Sequence, residues 1–164
     1  DQAKTFIYAF LYGAGPAKIG KVVGGDAKQG QILVNRFLTN MPALKSLRNK
    51  VQEAGEQGYI KGLDGRVFQV RSPHSALNTL LQGAGAIVCK QWLVSMISMI
   101  KDAGIDAKLV ASIHDEYQFE VKSTDVSKFG QITKDAMTKT QKELDVHCQL
   151  DSEWKQGLTW AETH

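Results

Sequence analysis

The chain has 164 residues, 43% of them hydrophobic and 23% charged, with a formal net charge of +3 and a pI near 8.8. This describes an ordinary soluble globular chain of one domain or two small lobes, long enough to bury a core without staples. The mildly basic balance is compatible with a polyanion partner without proving one. Two cysteines, Cys89 and Cys148, lie in neither a C-x-x-C nor a Cys/His cluster, which argues against structural zinc and reads as reduced, buried thiols.

Taken in order, the first helix is expected from about Gln2 to Tyr12, with Asp1 in reach of an N-cap role. Phe6, Ile7, Phe10 and Leu11 form its core side, and Gly13, Gly15 and Pro16 stop it. A second helical pattern covers Ala27–Leu38, and Met41-Pro42 breaks it and restarts a helix through Leu44 and Leu47. From Glu53 to Gly58 the texture changes. "GYIKGLDGRVFQV" places β-formers on both sides of Asp64-Gly65, a hairpin signal.

Ser72 can then cap, and Pro73 can open a long helix with Leu77, Leu80, Leu81, Ala84 and Val88 on its apolar side. Its apolar run Ala86–Ile100 contains Lys90, Gln91, Ser95 and Ser98, too short and polar to span a membrane, so it reads as a core helix. No secretory signal opens the chain, and an intracellular protein is expected. "KLVASIHDEYQFEV" is a second hairpin. Tyr117, Phe119 and Val121 alternate with Glu116, Gln118 and Glu120, and the turn holds His114 and Asp115 and has room for Glu116. A helix from about Thr124 to Leu144, a short strand near Val146–Leu150 and an irregular tail with Trp154 and Trp160 complete an α+β pattern.

Three polar groups stand out. Lys4, Tyr8 and Tyr12 recur every four residues, so they share one stripe of the first helix. A lysine there can neutralise phosphate, an aromatic can stack on a base or sugar, and Gly13 leaves room for a close approach. The same residues also fit an exposed lysine beside two half-buried tyrosines, and alone they favour that plainer reading. His74, Asn78 and Gln82 share another helix face. Amides there can test base-pair geometry in a minor groove, or simply form a solvated face. His114-Asp115-Glu116 offers hard-cation ligands at a hairpin tip, with Asp115 facing away from the other two so that one principal ligand is expected rather than a three-residue cage, or an ordinary polar turn.

In order, "K-x3-Y-x3-Y-G", "GLDGR", "N-x3-Q" and "HDE" between β-formers resemble the family A DNA polymerases, and most of all those of podophages. The likeness runs from "AKTFIYAFLYGAG" to the C-terminal His164. It implies that residues 1–56 are part of a fingers subdomain and 57–164 part of a palm. Lys4 would contact the triphosphate, Tyr8 pack near the sugar and Tyr12 guard the templating base. Gly13, His74, Asn78 and Gln82 would face the primer–template. Asp115 would hold Mg2+ as one of two aspartates on two ions, with His114 positioning the primer terminus and Glu116 supporting the metal site. The implied reaction joins a deoxynucleoside triphosphate to a primer 3′-hydroxyl and releases pyrophosphate.

The family's arginine four residues before the lysine would precede Asp1, and its other metal-binding aspartate belongs to a motif before the fingers helix. A C-terminal polymerase fragment, inactive alone, is therefore expected. Its partners would be primer–template DNA, deoxynucleoside triphosphates, the missing N-terminal portion and a processivity factor, in the cytoplasm of a bacterial host. The alternatives are a non-catalytic nucleic-acid-binding module and, less supported, a metal-dependent hydrolase built on His-Asp-Glu.

Overall fold

Two aromatics one turn apart organise the start of the chain. In the computed structural model, which describes residues 2–163, α1 covers Gln2–Leu11. Phe6 and Phe10 are buried, and the Phe37 ring meets both edge-on, 5.1 and 5.2 Å between centroids. Such contacts add directional attraction to area burial. Ile7, expected inward, is exposed: it sits about 80° round from the Phe6–Phe10 midline, beyond the narrow contact. The N-cap expected at Asp1, and His164, lie outside the described residues.

The residues group into two compact units, one up to Ala84 and one from Gly85. In the first, Pro16 does more than stop α1. It opens a further helix, α2 (Pro16–Val22), at the position where its missing N–H costs nothing. A capping box then starts α3 (Ala27–Asn40): the Asp26 carboxylate accepts from the Gln29 N–H at 2.9 Å, and the Gln29 side chain accepts from the Asp26 N–H at 3.0 Å. The backbones of α2 and α3 nearly touch. A Cβ on Gly30 would lie 2.0 Å from the Pro16 carbonyl oxygen, so only glycine permits the crossing. Ile19, Val34, Leu38 and Leu77 join Phe6 and Phe10 in one core.

Helix α4 (Pro42–Gly55) leads to a hairpin, β1 (Tyr59–Lys61) and β2 (Val67–Gln69), with Ile60 opposite Phe68. The Asp64-Gly65 signal sits in its loop, where Gly65 has φ +81° and the Asp64 carboxylate grips the Arg66 guanidinium at 2.6 Å. Val51, Ile60, Val70 and Ala76 form a second small core. A 3-10 turn, Pro73–Ser75, precedes α5 (Ala76–Ala103), and the Ser75 hydroxyl donates to the Ser72 carbonyl at 2.8 Å. Leu81, expected on the apolar side, is exposed.

The second unit is built on the rest of α5, the antiparallel pair β3 (Ala107–Ile113) and β4 (Glu116–Val121), and α6 (Val126–Glu143). Trp92, Met96, Ile100, Ile105, Ile132, Ala136 and Met137 make its core. By length and composition alone Pro73–Ala103 could cross a membrane. Its polar groups are used within the fold instead. The buried Trp92 indole donates to the Thr133 carbonyl at 2.8 Å, and Ser95 meets Thr140 at 3.5 Å.

One β-bulge interrupts β3. Pairing passes from Leu109–Phe119 to Ala111–Gln118, leaving Val110 as the extra, exposed residue. Val146–Leu150 is not a strand. The backbone N–H groups of Val146 and Leu150 bond to the Gln141 carbonyl and side chain, so they are satisfied by α6 rather than a strand edge. The tail is also less irregular than expected. Trp154 lies over Gly130, where a Cβ would come within 2.2 Å of the indole, and α7 (Trp160–Thr163) follows.

Candidate functional site

In the first unit the Lys4 stripe is solvent-facing. Tyr8 and Tyr12 are 49% and 55% exposed, too open to be core residues, and their rings lie nearly parallel, 14° apart with centroids 6.1 Å apart. The pair forms a short aromatic ledge beyond the exposed Lys4. Gly13 ends the ledge at φ +77°, and a Cβ there would stand 3.4 Å from the His74 carbonyl oxygen. The turn after α1 therefore passes close to the 3-10 turn that leads into α5. Leu77, buried in the α1 core, fixes which way α5 turns its polar side.

His74 and Gln82 are exposed, and Asn78 is half-buried between them. The Asn78 Oδ1 is buried without a hydrogen-bond partner among the described residues. Such an acceptor is costly unless a ligand or a bound water completes it. Residues 1–84 carry eleven Lys and Arg against five Asp and Glu, whereas residues 85–164 carry nine against twelve. The chain's basic excess thus belongs wholly to the unit that bears the aromatic ledge and the amide face.

In the second unit, Ile113 pairs with Glu116, so His114 and Asp115 alone make the hairpin turn and Glu116 belongs to β4. His114 has φ +53°, a left-handed conformation that favours glycine and that asparagine, aspartate and histidine adopt more readily than other residues. Strain of this kind gathers where side-chain direction matters to function. His114 and Asp115 are both exposed. Below the tip, burial and then the Asp115 charge push the Cys89 thiol pKa up, and burial and then Cys89 push up the Tyr117 phenol. Cys89 is thus a half-buried thiol near the aspartate, while Cys148, expected to be buried, is exposed because it lies in the segment after α6.

The Asp115 carboxylate has no hydrogen-bond or ion-pair partner among the described residues, and it can offer oxygen to a hard cation. No group of three or more His, Cys, Asp or Glu among the described residues could hold a metal. Asp115 fits such an ion as one ligand of a set. One further contact escaped the sequence reading: the Gln118 amide donates to Glu116 Oε1. Its only advance signal was the alternation that puts Glu116 and Gln118 on one strand face.

Residues 1–162 match the model of DNA polymerase family A. The chain belongs to that family. It is 42% identical to the DNA-directed DNA polymerase of Enterobacteria phage T3 and 41% identical to that of Escherichia phage T7, each alignment covering 100% of this chain and 26% of the relative. A DNA polymerase I of Bacillus subtilis is 26% identical over 97% of this chain and 19% of its own length. The family A chain thus spans about a quarter of the length of the phage relatives it matches. Its fold is that of part of a polymerase domain. The POL domain of Pol1 from M. smegmatis, in complex with DNA primer-template and dNTP, superposes with a TM-score of 0.77 over 85% of this chain and 27% of the other, at 19% identity.

Proposed function

We propose that this chain is the portion of a template-directed DNA polymerase that supplies part of the fingers (residues 1–56) and part of the palm (residues 57–164). The observation that carries the reading is the stripe of Lys4, Tyr8 and Tyr12, left exposed on a helix whose core needs are met by Phe6 and Phe10, in a chain of this family. Lys4 would neutralise the triphosphate, Tyr8 take the sugar and Tyr12 hold the templating-base position. Gly13, His74, Asn78 and Gln82 would face the primer–template, and the orphaned Asn78 Oδ1 would gain its partner there. His114, aimed by its left-handed backbone, would position the primer terminus.

Asp115 would hold divalent metal, Mg2+, together with an aspartate from outside these residues, and Glu116 would support it. When bound, a pair of such ions lowers the barrier by activating the attacking hydroxyl and stabilising the leaving oxygen. The remaining work is positioning and charge neutralisation, which fall to the side chains named. Such an enzyme would act in the cytoplasm of a bacterial host, with primer–template DNA, deoxynucleoside triphosphates, the rest of the polymerase and a processivity factor as partners.

Grafting residues 1–164 into the phage T7 polymerase in place of the matching residues tests the proposal. The chimera is expected to extend a primer, and the 164 residues alone are expected not to. A folded chimera that binds primer–template but never extends it would overturn the polymerase reading and favour a non-catalytic binding module. Substrate choice gives a second check. Family resemblance ties a tyrosine at position 8 to tolerance of sugars lacking a 3′-hydroxyl, its own hydroxyl replacing the missing one. Tyr8→Phe is expected to raise discrimination against dideoxynucleotides by at least about ten-fold, the worth of one hydrogen bond. Unchanged incorporation ratios would remove Tyr8 from the sugar site.

A further inference from the structure

The hairpin carboxylate next to Asp115 is held by a side chain that the proposed function leaves unused. On β4, Gln118 shares a face with Glu116, and its Nε2 donates to Glu116 Oε1. The other end of the same amide meets the C-terminal segment: Gln118 Oε1 stands 3.3 Å from the Thr163 hydroxyl. The same hydroxyl proton is shared with the Trp160 carbonyl at 3.0 Å, so one donor is divided between α7 and β4. The segment is fixed further back by Trp154, which occupies the space over Gly130. From there Glu153–Trp160 line one side of a cleft of about 840 Å3, and Glu116–Val121 line another.

We infer that Gln118 is a positioning residue that orients the Glu116 carboxylate beside Asp115 and couples it to the order of the C-terminal helix. An amide suits both tasks, because its nitrogen donates to a carboxylate while its oxygen accepts from a hydroxyl. A glutamate in its place would repel Glu116, and a leucine would engage neither neighbour. Outer partners of this kind tune metal affinity by holding ligating groups in direction. The inference rests on the polymerase reading of Asp115.

The test uses the complete polymerase carrying these residues, with Gln118→Leu, Gln118→Glu, Thr163→Val and Asp115→Asn. Both Gln118 variants are expected to raise the half-saturating Mg2+ concentration for primer extension about ten-fold, with KM for the nucleotide at saturating Mg2+ within two-fold of the parent. Thr163→Val is expected to shift it in the same direction by about two-fold. In the metal-free protein, amide hydrogen exchange over residues 158–163 is expected to accelerate in Gln118→Leu and Thr163→Val. Thermal midpoints within a few degrees of the parent establish that the variants are folded, and Gln118→Glu serves where Gln118→Leu is not. Unchanged Mg2+ dependence in a folded Gln118 variant, or unchanged exchange in Thr163→Val, overturns the inference. Extension that survives Asp115→Asn at the parental rate would instead overturn the polymerase reading beneath it, so the two failures are told apart.

Discussion

Replacing Asp115 with asparagine in the complete polymerase is expected to reduce primer extension by at least about 10³-fold while changing affinity for primer–template by less than about two-fold. Asparagine keeps the shape of the turn residue and removes only the negative charge. Asp115 is exposed and has no hydrogen-bond or ion-pair partner among the described residues, so no internal contact is lost and the thermal midpoint should stay put. Gly13, His74, Asn78 and Gln82, expected to face the duplex, lie in the other, basic unit, and His114 beside Asp115 keeps its side chain. Single-turnover extension at saturating DNA, set beside fluorescence anisotropy with a labelled duplex, measures both quantities. Equal loss of binding and rate would mean that Asp115 acts as a structural or DNA-contact residue and not as a metal ligand.

The readiness with which the sequence yields this site differs from element to element, for physical reasons. The Lys4–Tyr8–Tyr12 stripe was legible because a helix core fed by Phe6 and Phe10 leaves the opposite side with no packing demand. The two hairpins announced themselves by β-formers around Asp64-Gly65 and His114-Asp115, whose turns are local. What stayed hidden depends on contacts distant in sequence. Nothing in α5 alone says that Cys89 lies near Asp115, and nothing in the turn before it says that Gly13 would abut His74. The α2–α3 crossing rests on Gly20 and Gly30 meeting backbone from another element, which no periodicity records. Proline at position 16 misled because the residue that ends one helix also suits the first turn of the next. Val146–Leu150 misled because its apolar residues have strand propensity, yet its backbone is claimed by Gln141.

Lys4 supplies the other large effect. Lys4→Ala in the complete enzyme is expected to lower kcat/KM for the incoming nucleotide about 10²-fold, with kcat falling as well as KM rising, because charge builds on the leaving pyrophosphate only as the bond breaks. Alanine is the better helix former and Lys4 is exposed, so α1 and its Phe6–Phe10 core should be undisturbed. Lys4→Arg separates the two services a lysine can perform. Arginine keeps the positive charge but cannot give up its proton. If charge neutralisation dominates, Lys4→Arg should recover extension to within about ten-fold of the parent, with an unaltered pH–rate profile. If the lysine must also donate a proton to the pyrophosphate, Lys4→Arg should remain as slow as Lys4→Ala at every pH. Affinity for primer–template alone should be the same in all three proteins, since under the proposed arrangement the stripe would meet the nucleotide and the templating base while His74, Asn78 and Gln82 would face the duplex. A parallel fall in duplex affinity for Lys4→Ala would place the lysine on the DNA instead and dissolve the proposed division of labour between the two stripes.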